Sequence, residues 1–243
     1  MPFSGLPEAV RPRDPIEAYE VQRAVLEQLS LRQGPLAGWK IGCTTDVMQR
    51  FLGIQTPCAG RMLTGTVQES PGTIHSDAYL RLGVECEIAV RLRSDIPYQS
   101  YPINAERVRS AVGAYMVAIE LVEDRYTDYS ALDTPTLIAD NFFAMGCVLG
   151  PPVDARLVAN PAGAVATMTV NGIEVGRGIG TNVMGRPLKA LEWLARSPAV
   201  LGRGLRANDV VLLGSLVETY WVGTGDEVVV VNDLLGEARV SFD

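Results

Sequence analysis

The run Gly83-Val84-Glu85-Cys86-Glu87-Ile88-Ala89-Val90 carries two acids inside an otherwise apolar segment. Extended backbone alternates its side chains with period two. Glu85 and Glu87 therefore leave one face, and Val84, Cys86 and Ile88 leave the other. Two carboxylates side by side on an apolar strand need a cation, or one proton held between them. Oxygen donors of this kind suit a hard cation such as Mg2+ or Mn2+. The same spacing also fits an edge strand with a solvated acidic face.

Outward from this strand, the chain from about residue 60 reads as short β segments punctuated by Gly, Pro, Asn and Asp. These are GTVQES, YLRLGVECEIAVRLRSD, GCVLGPPV, ATMTVNGIEVGRG, DVVLLGS and DEVVVVND. Asn171-Gly172 supplies the positive-φ pair of a tight hairpin turn. Residues 103–123 have helical texture at first, although their end, YMVAIELVE, also reads as a strand. Residues 187–197 form an amphipathic helix that begins at Pro187, with Leu188, Leu191 and Leu194 on one face. Before residue 60 the texture is more helical. Residues 15–31 read as a helix capped by Asp14, with Ala18, Val21, Val25 and Leu29 on one face. Gly34-Pro35 ends it. LAGWKIGCTT is β-like, and residues 44–53 form another short helix closed by Gly53.

Composition bounds the function. The chain has 243 residues, 47% of them apolar and 20% charged, enough for a buried core in one large domain. Net charge is −7 with no basic tract, so nucleic acid has little to attract it. An acidic protein that binds an anionic substrate needs local positive charge, and a divalent cation supplies it. Cys43, Cys58, Cys86 and Cys147 lack Cys-x-x-Cys spacing and read as buried free thiols in a reducing compartment. A single histidine, His75, argues against a zinc site. No apolar leader and no run long enough to span a membrane is visible, so a cytoplasmic location is expected.

Further candidates lie elsewhere. Glu120, in Ala118-Ile119-Glu120-Leu121, is an acid flanked by apolar residues. It needs a partner, either as a third metal ligand or in an ion pair with Arg125. Lys40, in Gly38-Trp39-Lys40-Ile41-Gly42, is a lysine in apolar surroundings. It reads either as a snorkelling surface residue or as a group that binds a substrate oxygen and carries a proton. Asp140-Asn141 suits a turn or a pair that lines a pocket. Gly176-Arg177-Gly178-Ile179-Gly180 resembles part of a dinucleotide fingerprint but lacks the βαβ context, and reads as a flexible loop. Gly214-Ser215 lacks the nucleophile-elbow pattern, and one histidine gives a serine triad poor support.

Taken together, these segments resemble the fumarylacetoacetate hydrolase superfamily, in its hydratase and decarboxylase branch. GWKIGCTT, GVECEIAV, AIELVEDR, ADNFFAMGCVLG, NGIEVGRGIGTNVMGRPLKALEWLA and DVVLLGS follow the branch's motifs in order, from about residue 15 to the end. The resemblance implies an α+β fold. A mixed, rolled β-sheet domain spans residues 60–243, and a small N-terminal α/β part spans residues 1–59. It implies Glu85, Glu87 and Glu120 as metal ligands and Lys40 as the active-site lysine. It places Asp140 and Asn141 along the pocket and Ser215 near it, and it implies a homo-oligomer. Two departures stand out. Arg61 takes the place of an expected histidine, and Phe142 and Phe143 take the place of small serines. Both Arg61 and Phe142 are therefore expected to shape substrate binding.

The implied chemistry is that of a lyase acting on a small 2-oxo acid through a metal-stabilised enolate. Hydration of a 2-hydroxydienoate is the first expectation and decarboxylation of a 4-oxalocrotonate-type acid the second. Hydrolytic cleavage of an acylpyruvate comes third, because His75 is a poor base. A non-catalytic ligand-binding homologue is the contrasting class, and an intact acidic triad argues against it.

Overall fold

The computed structural model describes residues 2–99 and 101–243. In chain order they form α1 (Pro15–Gln33), β1 (Leu36–Gly42), α2 (Asp46–Phe51), β2 (Cys58–Leu63), β3 (Val67–Glu69), β4 (Gly72–Ile74) and β5 (Leu82–Leu92). Then come α3 (Ala105–Ala111), β6 (Val112–Glu123), α4 (Thr134–Ala139), β7 (Ala144–Leu149), β8 (Val153–Asp154), β9 (Val165–Val170) and β10 (Ile173–Ile179). α5 (Leu188–Leu194), β11 (Val210–Ser215), β12 (Tyr220–Trp221), β13 (Glu227–Asn232) and β14 (Gly236–Phe242) complete the order. No helix among the described residues is long and apolar enough to cross a membrane.

The larger sheet runs β2-β1-β11-β5-β6-β7-β3, with β12 pairing to β5 and β8 to β6. It mixes parallel pairs, such as β1 with β11, and antiparallel pairs, such as β5 with β6. The sheet rolls until β2 meets β7: a Cβ at Gly60 would lie 2.9 Å from the Cβ of Ala144. A second sheet runs β10-β9-β13-β14-β4. This is the mixed, rolled α+β architecture expected from the sequence. The β1 strand, from the N-terminal part, is an interior member of the larger sheet, between β2 and β11.

Period-two alternation sorts the core onto two faces. Val84, Cys86, Ile88 and Val90 of β5 join Tyr115, Val117 and Ile119 of β6 in the main core, with Trp39 and Ile41. The second sheet meets them there through Met168, Val170, Val228, Val230, Val240 and Phe242. The opposite face of the larger sheet, inside the roll, holds a separate apolar cluster of Met62, Ala89, Met116, Ala118, Cys147, Leu149, Val210 and Leu212. Because both faces are covered, the central strands read as nearly continuous apolar runs. Full burial of each large aliphatic side chain stabilises the fold by roughly 1.5–3 kcal/mol.

Several local expectations change here. In residues 103–123 the helix stops at Ala111 and a twelve-residue strand follows, Val112–Glu123. That strand fills the slot between β5 and β7, where burial on both faces favours its apolar and β-branched residues. Helix α1 is capped as expected, the Asp14 side chain accepting from Glu17 N. Its buried residues, however, are Ala18, Tyr19, Gln22 and Leu26, while Val21, Val25 and Leu29 are exposed. Packing decided that face. The Gln22 amide nitrogen donates to Ala59 O and to Ile138 O, both at 2.9 Å, so a polar residue is drawn inside. The glycine-rich run at 176–180 is not a loop at its start. Gly176, Arg177, Gly178 and Ile179 pair with β9 in the hairpin whose turn is Asn171 (φ 51°) and Gly172 (φ 79°). All four cysteines are free and buried.

Candidate metal centre

Strand register assembles the acids. Glu85 of β5 stands directly opposite Glu120 of β6, and Glu87 stands opposite Ala118. All three carboxylates face the inside of the roll, and one oxygen from each lies within 4.8 Å of the others. Glu87 and Glu120 are buried and Glu85 is half-buried. The edge-strand alternative therefore fails, because β5 lies between β11 and β6 and its acids point inward. The acids rest beside the inner apolar cluster, which includes Ala89 and Ala118 from their own strands.

Few protein groups answer this negative charge. Gly214 N donates to Glu87 Oε2 at 2.8 Å, and the Thr219 hydroxyl donates to Glu85 Oε1. Lys40 Nζ lies 2.9 Å from Glu120 Oε1 in a buried ion pair. Glu87 Oε1 and Glu120 Oε2 are buried with no hydrogen-bond partner. Burial, and next the Glu120 charge, push the Glu85 carboxyl up to about 7, against the pull of Lys40 and Thr219. The same two causes hold Glu87 well above the usual carboxylate range. For Lys40, burial opposes the charged form, but the Glu120, Glu85 and Glu87 carboxylates outweigh it and the net shift is upward. Orphaned buried oxygens, an all-oxygen donor set and three acids against one ammonium fit a hard divalent cation.

The remaining sequence candidates divide. Asp140 ends α4, and its Oδ2 accepts from the Tyr126 hydroxyl at 2.6 Å and lies 3.4 Å from Arg125 Nε. Arg125 thus pairs with Asp140, and Glu120 pairs with Lys40 instead. Asn141 bonds main chain only: its Oδ1 accepts from Arg61 N at 2.7 Å and its Nδ2 donates to Arg61 O at 3.0 Å. The Phe142 ring is buried 5.3 Å from Lys40 Nζ. Ser215 lies opposite Glu87, but its hydroxyl donates to Val217 O at 2.7 Å.

Arg61 does not reach the site. It pairs with Trp39 across β1 and β2, while Gly60 pairs with Lys40, so its side chain leaves the opposite face of β2. There its guanidinium covers the Trp39 ring at 4.8 Å, with Nε donating to Gln22 Oε1 at 3.2 Å and Nη2 to Ala199 O at 3.0 Å. Burial, and next the charges of Arg23 and Arg203, push Arg61 down to about 10. The expectation that Arg61 binds substrate is corrected accordingly. The sequence held no signal for this, because the pairing of Lys40 with Gly60 is a matter of strand register.

Sequence reading missed Thr219, the Gly214 N–H and the close packing at Gly60, opposite Lys40 on β2, and at Gly42. A Cβ at Gly60 would lie 2.7 Å from Asn141 O and 3.1 Å from Lys40 Cε. One at Gly42 would lie 2.7 Å from the Phe142 ring. The Gly-x-Lys-x-Gly spacing was a usable signal for Gly42. Thr219 had none, because it stands 134 residues from the acid it serves. A cleft of about 420 Å3 lined by Tyr19, Cys58, Ile138, Trp193 and Arg196 among others includes none of the carboxylates.

The larger sheet is thus a rolled mixed sheet with three inward-facing acids, two of them buried, and one buried lysine beside them. The chain belongs to the fumarylacetoacetate (FAA) hydrolase C-terminal family, whose model matches residues 63–242. It is 33% identical to "TodF product hydratase" of Pseudomonas putida, across 93% of this chain and 83% of that protein. It is 32% identical to "2-keto-4-pentenoate hydratase" of Paraburkholderia phymatum, across 99% and 90% respectively. In fold it is similar to 4-oxalocrotonate decarboxylase from Pseudomonas putida G7, complexed with magnesium and adipate. That match has a TM-score of 0.88 at 22% identity and covers 95% of this chain and 86% of the other.

Proposed function

We propose that this protein is a hydro-lyase that adds water to a small 2-hydroxy-2,4-dienoate, with Mg2+ or Mn2+ held by Glu85, Glu87 and Glu120. The observation that carries this is the inward-facing acidic trio, with two orphaned oxygens and Lys40 beside it. Relatives named as hydratases at 32–33% identity support the choice of reaction.

When bound, the cation supplies Lewis acidity to the substrate's carboxylate and 2-oxygen and draws off the charge that develops there. The chain's own groups do the rest. Lys40 remains protonated against Glu120 and places positive charge and a transferable proton at the acids' edge. The Phe142 ring and the apolar inner cluster keep water from the groups they cover. In the overall reaction the enol proton leaves the 2-oxygen and a proton adds to C5. Water then adds its oxygen to C4 and a proton to C3, which leaves a 4-hydroxy-2-oxo acid. Acylpyruvate hydrolysis is disfavoured further. His75 is 78% exposed at its side chain, bonded to Asp243 at 2.8 Å, and follows β4 in the other sheet.

The test is ultraviolet absorbance of 2-hydroxypenta-2,4-dienoate with the purified protein, with and without Mg2+, and the product's mass. Metal-dependent loss of the dienol band with gain of one water supports the reading. An unchanged dienoate together with loss of CO2 from 4-oxalocrotonate replaces it with the decarboxylase, and no turnover of either refutes both.

A further inference from the structure

Asn141, Phe142 and Phe143 are three consecutive non-glycine residues in the left-handed region, with φ of 65°, 48° and 62°. L-residues rarely adopt this conformation, and they almost never do so in series. Such a run persists only where its surroundings over-determine it. Here the surroundings are specific. Both ends of the Asn141 amide are spent on the main chain of Arg61, which fixes the start of the run to β2. The Phe143 ring stands edge-on to Tyr126, Tyr129 and Phe142, at centroid distances of 5.2, 5.5 and 5.6 Å. Between these anchors the Phe142 ring is pressed onto Gly42, where no Cβ would fit, and beside Lys40 Nζ. Lys40 in turn touches Glu120. One side chain therefore separates the Phe142 ring from the acidic trio.

Resting on the function proposed above, we propose that Phe142 is the wall that limits the substrate's distal end to a small substituent, and that Asn141 is a positioning residue for that wall. Each end of the Asn141 amide makes one bond to the Arg61 main chain, and this pair of bonds fixes where the amide, and the ring that follows it, can lie. Gln22 extends the support, since its amide nitrogen holds Ala59 O and Ile138 O and its oxygen accepts from Arg61 Nε. β2 and α4, the two elements that the strained run bridges, are thus tied from behind by α1.

The test is calorimetric binding of two inert acids, 2-oxopentanoate and 2-oxo-5-phenylpentanoate, to the Mn2+-loaded protein. The parent should bind the short acid and discriminate against the phenyl acid. One methylene in an apolar pocket is worth roughly tenfold or more, so a whole ring should be excluded by at least about that factor. Phe142→Ala should narrow the gap by about tenfold or more. Phe142→Leu, which removes less volume and strains the core less, should narrow it part of the way. Asn141→Gly accepts the positive φ but lacks the clamp. It should narrow the gap in the same direction, with Mn2+ affinity equal to the parent's. Unchanged discrimination in Phe142→Ala and Phe142→Leu overturns the wall. Parent-like discrimination in Asn141→Gly, with turnover lost equally on every substrate, makes Asn141 catalytic instead. If the binding pattern holds but the parent leaves the dienoate unchanged, the hydratase reading falls alone. If the parent binds neither acid, both fall.

Discussion

Glu87→Gln should make the metal-free protein more stable and the metal-loaded protein less so. Glu87 is buried, its Oε1 has no partner, and the carboxylates of Glu85 and Glu120 lie within 4.8 Å. At that separation and an effective dielectric of about 20, each like-charge pair repels by about 3.5 kcal/mol. Protonation already relieves part of this, because burial and Glu120 hold the Glu87 carboxyl well above its usual range. Glutamine keeps an oxygen for the Gly214 N–H and offers an N–H to the orphaned Glu120 Oε2. A net gain of about 2 kcal/mol is expected, or about 4–8 °C in Tm for a chain of this size. With Mn2+ the order should invert. At a concentration of about one hundred times Kd the parent gains about 2.7 kcal/mol, whereas the variant has lost a ligand and gains little. Thermal unfolding of both proteins, with chelator and with Mn2+, reads this directly. A variant less stable than the parent in chelator would show that the three acids do not repel in the fold. A variant that gains as much from Mn2+ as the parent would remove Glu87 from the metal centre.

Three further outcomes follow from the same geometry. The Glu85 carboxyl lies at about 7 in the fold, against an ordinary value of 4.5. Between these values the folded metal-free protein binds more protons than the unfolded chain, so its stability should fall as pH rises through the window and level off above 7. A cation must displace that proton, so the Tm gain from Mn2+ should instead grow from about pH 5 to 8; a gain that shrinks would refute the assignment. Lys40→Met should lower turnover by about a hundredfold or more while leaving Mn2+ affinity in calorimetry no weaker than the parent's, since it removes a cation from beside Glu120. Gly60→Ala places a methyl 2.7 Å from Asn141 O, and should lower stability by about 1–3 kcal/mol in denaturant unfolding and displace Phe142 from Lys40.

Helix α1, the hairpin at Asn171-Gly172, helix α5 and most strands were legible because caps, turns and short periods are local properties. The burial of α1 was not legible from its apolar spacing. Val21, Val25 and Leu29 make the more regular stripe, yet the helix turns Gln22 inward because carbonyls of β2 and α4 wait for its amide. Val112–Glu123 likewise has the composition of either element, and the open slot between β5 and β7 made it a strand.

At the site, the sequence by itself determined that Glu85 and Glu87 share a face, because extended backbone admits no other arrangement. It left open whether such a pair is neutralised by a cation or a shared proton, or is simply solvated on an edge strand. Only the tertiary structure decided that this face is inside the roll, that Glu120 stands opposite Glu85, and that Lys40 answers Glu120 while Arg125 goes to Asp140. It alone turned Arg61 away and set Phe142 against Gly42. The physical reason is the same in each case. Which face a side chain takes is settled within two residues, but what that face meets depends on strand register and on sheet curvature, which are fixed by contacts far apart in the chain.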